Sequence, residues 1–389
     1  MKICYLCADP GIPVFGRKGC STHVRETCSV LTDLGHQVRL LCSNASGDRN
    51  QGEIDTISVT PPTSRKLGFD LRHVLLDYRF NKALEELITT WKPDAIYERY
   101  SLYSRAGLRA ARKYGLPRLL EVNAFLTREQ EDRIKLAPLA KVVEQTIIRS
   151  ATRVIVVSEP LQQEVAALGL PIESVIKMPM AVNLDKFNPS VDGAGIKEQY
   201  GLAGRFIVGY VGTLSGWHGL RLLEDVAGKL REAGAPPFAF MIVGGEGNKL
   251  EGNRARVREA GLEDLIRFVG SVPYEDVPRH IRAMDMAIVP DTTYWSSPAK
   301  LFEYQASGVP VLAPSYPAIH AALDHGREGF IFEPQNTDEM ARLLMEAMNN
   351  HASLKPMAEA ARLRAEREHS WRHNGERILE LFEEMMTEK

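Results

Sequence analysis

The strongest constraint on the fold is a repeated alternation: a short apolar run, a loop carrying glycine or proline, then a helical pattern. It begins with an apolar run over residues 3–8 and a loop from Asp9 to Cys20. A helix is expected from about Ser21, taken as its N-cap, to Leu34-Gly35, and a second strand at 37–43. Strand, helix and strand of that length make a βαβ unit, hence a parallel sheet with right-handed crossovers. Further strands are expected at 54–60, 94–97, 118–123 and 153–157, with helices at about 78–91, 102–114, 128–150 and 160–168.

The segment from Met178 to Pro189 has no periodicity and carries two prolines, and it reads as a linker. Beyond it the alternation restarts, with strands at 206–212, 238–243, 266–269, 286–290, 310–313 and 330–332. Helices are expected at about 219–233, 249–260, 274–283, 298–307, 337–349 and 355–387. A chain of 389 residues is long for a single core. The reading is therefore α/β with two doubly wound, Rossmann-like domains, 1–180 and 181–370, and a C-terminal helical segment, 371–389, packed across a domain edge. Open parallel sheets bind ligands beyond the carboxyl ends of their strands, so two facing sheets direct attention to an interdomain cleft.

Composition narrows the partners. The 48 basic and 50 acidic residues leave a net charge of −2, so no general basic field recruits nucleic acid. All five cysteines, Cys4, Cys7, Cys20, Cys28 and Cys42, fall in the first 42 residues, an odd number that fits a reducing, cytoplasmic setting. Cys4 and Cys7 have the spacing of a zinc knuckle, but on a strand residues three apart point to opposite faces, so no metal site is expected. No apolar run approaches the roughly 20 residues that span a bilayer, and Lys2 to Ala8 is too short for a leader.

Four loops follow strands in the second half. Gly212-Thr-Leu-Ser-Gly-Trp-His-Gly219 lets backbone approach a ligand at a helix start, where amides favour an anion. It lacks the Gly-Lys-Ser/Thr ending of a Walker loop and the GxGxxG fingerprint, which disfavours a nicotinamide oxidoreductase. Val243-Gly-Gly-Glu-Gly247 offers Gly244 and Gly245 for the same purpose, or for a tight turn. Val269-Gly-Ser-Val-Pro273, with Val272, suits main-chain recognition of a flat base. In Pro290 to Pro310, Ser297 is expected to N-cap a helix with Pro298 at its first position. That would leave the amides of Ala299 and Lys300 toward the loop, Lys300 and Leu301 beside a diphosphate, and Glu303 placed to accept a ribose's hydroxyls. The plain alternative is an exposed i, i+3 pair of Lys300 and Glu303.

These loops, in order and with the segment Ser297-Pro…Lys-Leu-Phe-Glu-Tyr…Ser-Gly-Val-Pro-Val311, resemble glycosyltransferase family 4, whose GT-B fold has two facing Rossmann-like domains. Val182-Asn-Leu-Asp-Lys-Phe187 resembles the family's interdomain stretch, and Gly16-Arg-Lys-Gly-Cys-Ser-Thr-His-Val-Arg-Glu26 its first glycine loop and helix. The resemblance implies transfer of a sugar, with retained configuration, from a nucleoside-diphosphate donor to an acceptor hydroxyl or amine. The donor would lie in the second domain, on Gly212, Lys300, Glu303 and the main chain of 297–301. This chain departs from the family pattern at Thr213, where an arginine is usual, at His218, where a lysine is usual, and at Trp295, where the first of two glutamates is usual. His218 is therefore expected to help Lys300 and the helix amides neutralise the diphosphate, or else to pack on Trp217.

In the first domain Asn123 stands where many family members place a histidine near the sugar, with Glu121 on the same face. His23, Glu98 and Arg99, with Gly16 and Gly19 of the first loop, are acceptor-side candidates; Arg17 and Lys18 read as a solvated loop. The expected reaction uses no cofactor and no metal: there is no Asp-x-Asp pair, and the departing phosphate accepts the acceptor's proton on the same face of the sugar. The rivals are a sugar-nucleotide 2-epimerase of the same fold and a non-catalytic sugar-binding protein. The acceptor, a small molecule, glycan or lipid-linked group, is not named by any motif. The stretch Arg65 to Leu76 mixes basic and apolar residues, either as a solvated helix edge or as a contact to a lipid-linked acceptor or membrane surface.

Overall fold

The apolar runs of the first half form strands covered on both faces, as crossover helices in a parallel sheet require. They are β1 (Lys2–Cys7), β2 (Gln37–Cys42), β3 (Thr56–Ser58), β4 (Ala95–Arg99), β5 (Arg118–Val122), β6 (Arg153–Val156) and β7 (Val175–Lys177). All pair in parallel, in the order β3-β2-β1-β4-β5-β6-β7. The computed structural model describes residues 1–48, 54–64 and 67–388. Within them the chain divides into two units, Met1–Pro179 with Trp371–Lys389, and Met180–Ser370.

Several boundaries differ from those expected, each for a local reason. The first helix is Gly19–Asp33 with Lys18 at its cap, and Ser21 is buried inside it rather than capping it. The helix expected at 128–150 is two, Leu126–Glu129 and Ala137–Arg149, because Pro138 opens the second. The helix expected from 78 begins at Gly68 and runs 24 residues to Trp91. The edge strand β7 was not expected, since only three residues pair.

The second unit repeats the design with β8 (Phe206–Val211), β9 (Phe238–Val243), β10 (Ile266–Gly270), β11 (Met286–Ile288), β12 (Val311–Pro314) and β13 (Gly329–Phe332), ordered β10-β9-β8-β11-β12-β13. Val208, Tyr210, Phe240 and Ile242 pack under one helical layer, and Ile207, Met241, Ala287 and Val289 under the other. In both sheets the strand order reverses beside the first strand. That creates a crevice at the carboxyl ends of β1 and β4, and another at those of β8 and β11.

The helix expected over 355–387 is interrupted. Leu354–Glu368 ends at His369, whose carbonyl accepts the Val182 N–H at 2.8 Å, and Ser370 bridges to Val182. The last helix, Trp371–Thr387, belongs to the first unit and lies on Gly19–Asp33. Gly375 makes this approach possible, because a Cβ there would stand 2.9 Å from Val30.

One expected acceptor residue belongs to the core instead. Residues 98 and 99 continue β4, so their side chains take opposite faces. Glu98 points under the helices Gly68–Trp91 and Ala106–Tyr114, where it is buried and ion-paired with buried Arg118 of β5. Burial pushes its carboxyl pKa up, against the pull of Arg118. Gly107 has no side chain above it, and any Cβ there would overlap the carboxylate. Replacing Arg118 by alanine should lower unfolding free energy by about 3–5 kcal/mol, because it strands a buried charge, whereas the double change Glu98→Leu with Arg118→Met should cost far less. Urea unfolding of the two variants, read by circular dichroism, checks both values.

Candidate active site

In the second unit the crevice is built by the chain reversals after β8 and β9. Gly212 has φ +150° and its N–H donates to Val243 O at 3.0 Å, while the Gly244 N–H donates to Gly270 O at 2.7 Å. A Cβ on Gly244 would run into the Gly212 carbonyl, so these two backbones can lie together only with glycine at 244. Gly245, at φ +80°, lies against Leu214 in the same way. After Gly212 come Thr213 and Ser215, then a 3-10 turn, Gly216–His218, closed by Gly219. Val272 is half-buried in the loop after β10.

The helix Ala299–Ala306 supplies the charged groups. It starts one residue later than expected: Pro298 is the cap, no side chain caps it, and Ser297 Oγ accepts the Met180 N–H at 3.2 Å instead. The amides of Ala299 and Lys300 thus open the helix without a side-chain acceptor. Lys300 turns inward from this end. Its Nζ lies 4.5 Å from the centre of the Tyr210 ring, and 3.3 Å from both the Tyr210 hydroxyl and His218 Nδ1. Burial lowers its pKa to about 7, with Glu303 opposing the shift. Glu303, half-buried, lies 3.5 Å from the hydroxyl of Tyr274.

In the empty site His218 is not a second cation, although the sequence reading expects it to help neutralise a diphosphate. Burial, and then the charge of Lys300, lower its pKa to about 2, so the ring is neutral. A charged Lys300 can only donate, so Nδ1 accepts, and Nε2 carries the proton that points to Thr213 Oγ1 at 3.2 Å. The ring also packs on Trp217, with centroids 3.6 Å apart. The Thr213 hydroxyl in turn lies 3.3 Å from that of Ser215.

In the first unit the crevice centres on Glu121, at the end of β5. Its buried carboxylate accepts from His23 Nε2 at 2.9 Å, the Tyr97 hydroxyl at 2.5 Å, Arg99 at 2.5 Å, and the Asn123 amide. Burial works to raise its pKa, but the charges of His23 and Arg99 and the hydrogen bonds from His23 and Tyr97 hold it far below the ordinary carboxylate range. His23 also stands edge-on to Trp371, at 5.1 Å and 87°. The first loop is tied to the same helix by Arg25, which donates to the carbonyls of Val14 at 2.6 Å and Gly16 at 2.8 Å. Gly19 is the first residue of that helix and is exposed.

The structure thus gathers His23, Arg99, Glu121 and Asn123 in one unit, and Gly212, Thr213, His218, Lys300 and Gly244 in the other; it sets Glu98 apart. Sequence reasoning missed Tyr97, Tyr210, Tyr304 and Arg25. Tyr304 carried a usable signal, since it lies four residues after Lys300 on one helix; its hydroxyl accepts the Val211 N–H at 2.7 Å and so anchors the end of β8. Cys4 and Cys7 are buried, and burial raises both thiol pKa values. Among the described residues no three His, Cys, Asp or Glu side chains are grouped as a metal site would need, and no helix is long and apolar enough to cross a membrane. Arg65 and Lys66 of the basic and apolar stretch lie outside the described residues.

Comparison with known proteins agrees with this geometry. Residues 18–180 match the glycosyl transferase 4-like domain, and residues 195–364 match the glycosyl transferases group 1. A 2-deoxystreptamine glucosyltransferase of Streptomyces kanamyceticus is 27% identical over 272 residues, 68% of each chain. A D-inositol 3-phosphate glycosyltransferase of Corynebacterium jeikeium is 27% identical over 67% of this chain, a match that spans 62% of the relative. In fold, the chain is similar to sucrose-phosphate synthase from Thermosynechococcus elongatus, with TM-score 0.80, 20% identity and all of both chains covered. It is also similar to Anabaena HepE in complex with UDP and glucose, with TM-score 0.78, 20% identity, and 98% of this chain and 99% of that one covered. Two family models that between them take in both doubly wound units, with these likenesses in sequence and fold, establish that the chain belongs to glycosyltransferase family 4 and is a transferase of the GT-B fold.

Proposed function

We propose that the protein moves a sugar, with retention of configuration and without a metal, from a nucleoside-diphosphate sugar held by the second unit to an acceptor hydroxyl or amine held by the first. The observation that carries the reading is Lys300: a half-buried lysine whose ammonium turns inward at the uncapped start of a helix, beside the glycine reversals that close β8 and β9. A diphosphate placed there receives the helix amides and a cation from one direction. As the bond to the sugar breaks, negative charge grows on the departing phosphate, and these fixed groups stabilise it without rearranging. The same phosphate accepts the acceptor's proton, so no side-chain nucleophile is required. Glu303, on the next turn of the helix, is the ribose contact in this reading. In the first unit, Glu121 holds the Asn123 amide nitrogen, which leaves the Asn123 carbonyl to accept from a sugar or acceptor hydroxyl. Two likenesses support a nucleotide donor: HepE is described in complex with UDP-glucose, and starch synthase IV of Arabidopsis thaliana is bound to ADP and acarbose.

Calorimetry with UDP, ADP and GDP, followed by mass spectrometry of products from a matrix of sugar nucleotides and acceptors, tests the reading. Binding of free sugar with no response to any nucleotide would overturn it. Lys300→Ala should weaken a nucleoside diphosphate about 100-fold and the bare nucleoside less than about threefold, as expected when a charge-assisted contact is lost. Equal losses would remove Lys300 from the diphosphate.

The pH dependence has a definite sign. In the empty site Lys300 loses its proton near pH 7, and a bound diphosphate raises that pKa. Below pH 7 binding of a sugar nucleotide, which itself has no ionisation in this range, should be level. Above it, each binding event takes up a proton, and Kd should rise toward about tenfold per pH unit. Lys300→Arg, charged throughout, should bind without that slope. For Asn123→Ala, kcat should fall by about 10–100-fold with donor Kd nearly unchanged, the pattern of a contact that matters in the transition state.

A further inference from the structure

The loop after β8 carries an exposed aromatic side chain close to Lys300. Trp217 is 56% exposed, yet it is held in place, since its ring packs on His218 with centroids 3.6 Å apart and a 41° tilt. His218 in turn stands edge-on to buried Tyr210, with centroids 5.8 Å apart, and its Nδ1 lies 3.3 Å from the Lys300 ammonium. The indole is thus fixed on one side to the residue that touches the cation, and open on the other. A single exposed aromatic residue is ordinary. One ordered by a stack of rings at the carboxyl end of a parallel sheet, beside a lysine that turns into the crevice, is placed to line a ligand.

The order of the strands indicates which part of a sugar nucleotide this ring meets. Tyr274, in the turn after β10, lies 3.5 Å from Glu303, so the nucleoside belongs to that side of Lys300. The strands run β10-β9-β8-β11, which puts the loop after β11 on the opposite side of β8. The Trp217 turn leans that way, because a Cβ on Gly219 would stand 2.5 Å from the Asp291 Cβ. The loop it meets, Asp291 to Pro298, closes where the Ser296 N–H donates to Thr293 O at 3.1 Å. Tyr294 and Trp295 form its tip, with perpendicular rings 5.1 Å apart, and Tyr294 is 42% exposed. The hydroxyls of Thr292 and Ser296 bond each other at 2.6 Å, and Ser297 Oγ accepts the Met180 N–H. Between them the stretches 212–219 and 291–298 hold two titratable groups besides tyrosine, His218 and Asp291. His218 is neutral, and Asp291 already accepts the Thr292 N–H at 2.8 Å and the Tyr316 hydroxyl at 3.1 Å. This side of the crevice is therefore aromatic and uncharged.

We infer that Trp217 is a specificity-determining residue that stacks on the transferred sugar, and that this sugar is an uncharged pyranose. A pyranose turns C–H groups to its faces and hydroxyls to its rim, so an indole can take a face while the rim stays hydrogen-bonded. The inference rests on the donor reading above, with the diphosphate at Lys300 and the nucleoside toward Glu303. Calorimetry of the full chain with UDP, UDP-glucose and UDP-glucuronate tests it, with the ADP or GDP counterparts where that diphosphate is the one bound. Trp217→Ala should weaken UDP-glucose about tenfold and UDP less than about threefold, and Trp217→Phe, which keeps a ring, should recover most of the loss. The parent should hold UDP-glucuronate at least about tenfold more weakly than UDP-glucose, because its carboxylate would enter an aromatic, uncharged wall. Equal losses of UDP and UDP-glucose in Trp217→Ala, with unchanged circular dichroism, would put the ring on the base and overturn the inference. So would UDP-glucose bound by Trp217→Ala as by the parent, or UDP-glucuronate bound as well as UDP-glucose. In each of these cases a nucleotide still binds and the donor reading stands; binding of none of the three diphosphates would overturn both.

Discussion

An ammonium group half-buried at the end of a sheet is expensive to keep charged, and the second unit is arranged around that cost. Lys300 meets a phenol ring and hydroxyl from β8 and an imidazole from the following loop, which together solvate it without neutralising it. The Glu303 carboxylate raises its pKa only in part, and the net result is a group poised near pH 7. Such a site is short of negative charge. In the proposed reading a diphosphate would supply what is missing, and the energy withheld in the empty protein would become binding energy in the loaded one. The glycines at 212 and 244 serve the same end, because they bring backbone, not side chains, to the place where that anion would lie.

The first unit solves the opposite problem. Glu121 is a buried carboxylate with more donors than its charge alone would need, drawn from a helix, the neighbouring strand β4 and its own strand end. It therefore stays ionised, and its role is to fix the side chains that surround it. Arg99 and His23 are spent on holding Glu121, which limits what either can offer a ligand. Asn123 keeps half of its amide available, and for that reason it is the residue of this cluster assigned a direct contact.

Much of this was legible before the structure, and the failures have physical causes. Apolar runs with a helix after each one located nearly every strand, because a strand buried on both faces has little choice of composition. Lys300 and Glu303 could be read from their place at a helix start after a proline. Glu98 could not be placed while β4 was taken to stop at Tyr97, since the two residues after a strand look equally loop-like. Once the strand extends to Arg99, alternation alone sends Glu98 to the core and Arg99 to the crevice. The break at His369-Ser370 is invisible in sequence for a different reason: the charged amphipathic pattern runs through it, and the bond that ends the helix comes from Val182, nearly half the chain away.

The departures at Thr213 and His218 take on a consistent sense in this setting. A neutral histidine beside Lys300 accepts its hydrogen bond and passes polarity on to the Thr213 hydroxyl, so the loop after β8 contributes oriented dipoles where a second cation would have added charge. Two ammonium groups at this depth would each have suppressed the other's protonation. Concentrating the positive charge on one lysine keeps that lysine protonatable near neutral pH, and it makes the charge state of a single group, not of a cluster, the quantity on which the proposed anion binding would turn.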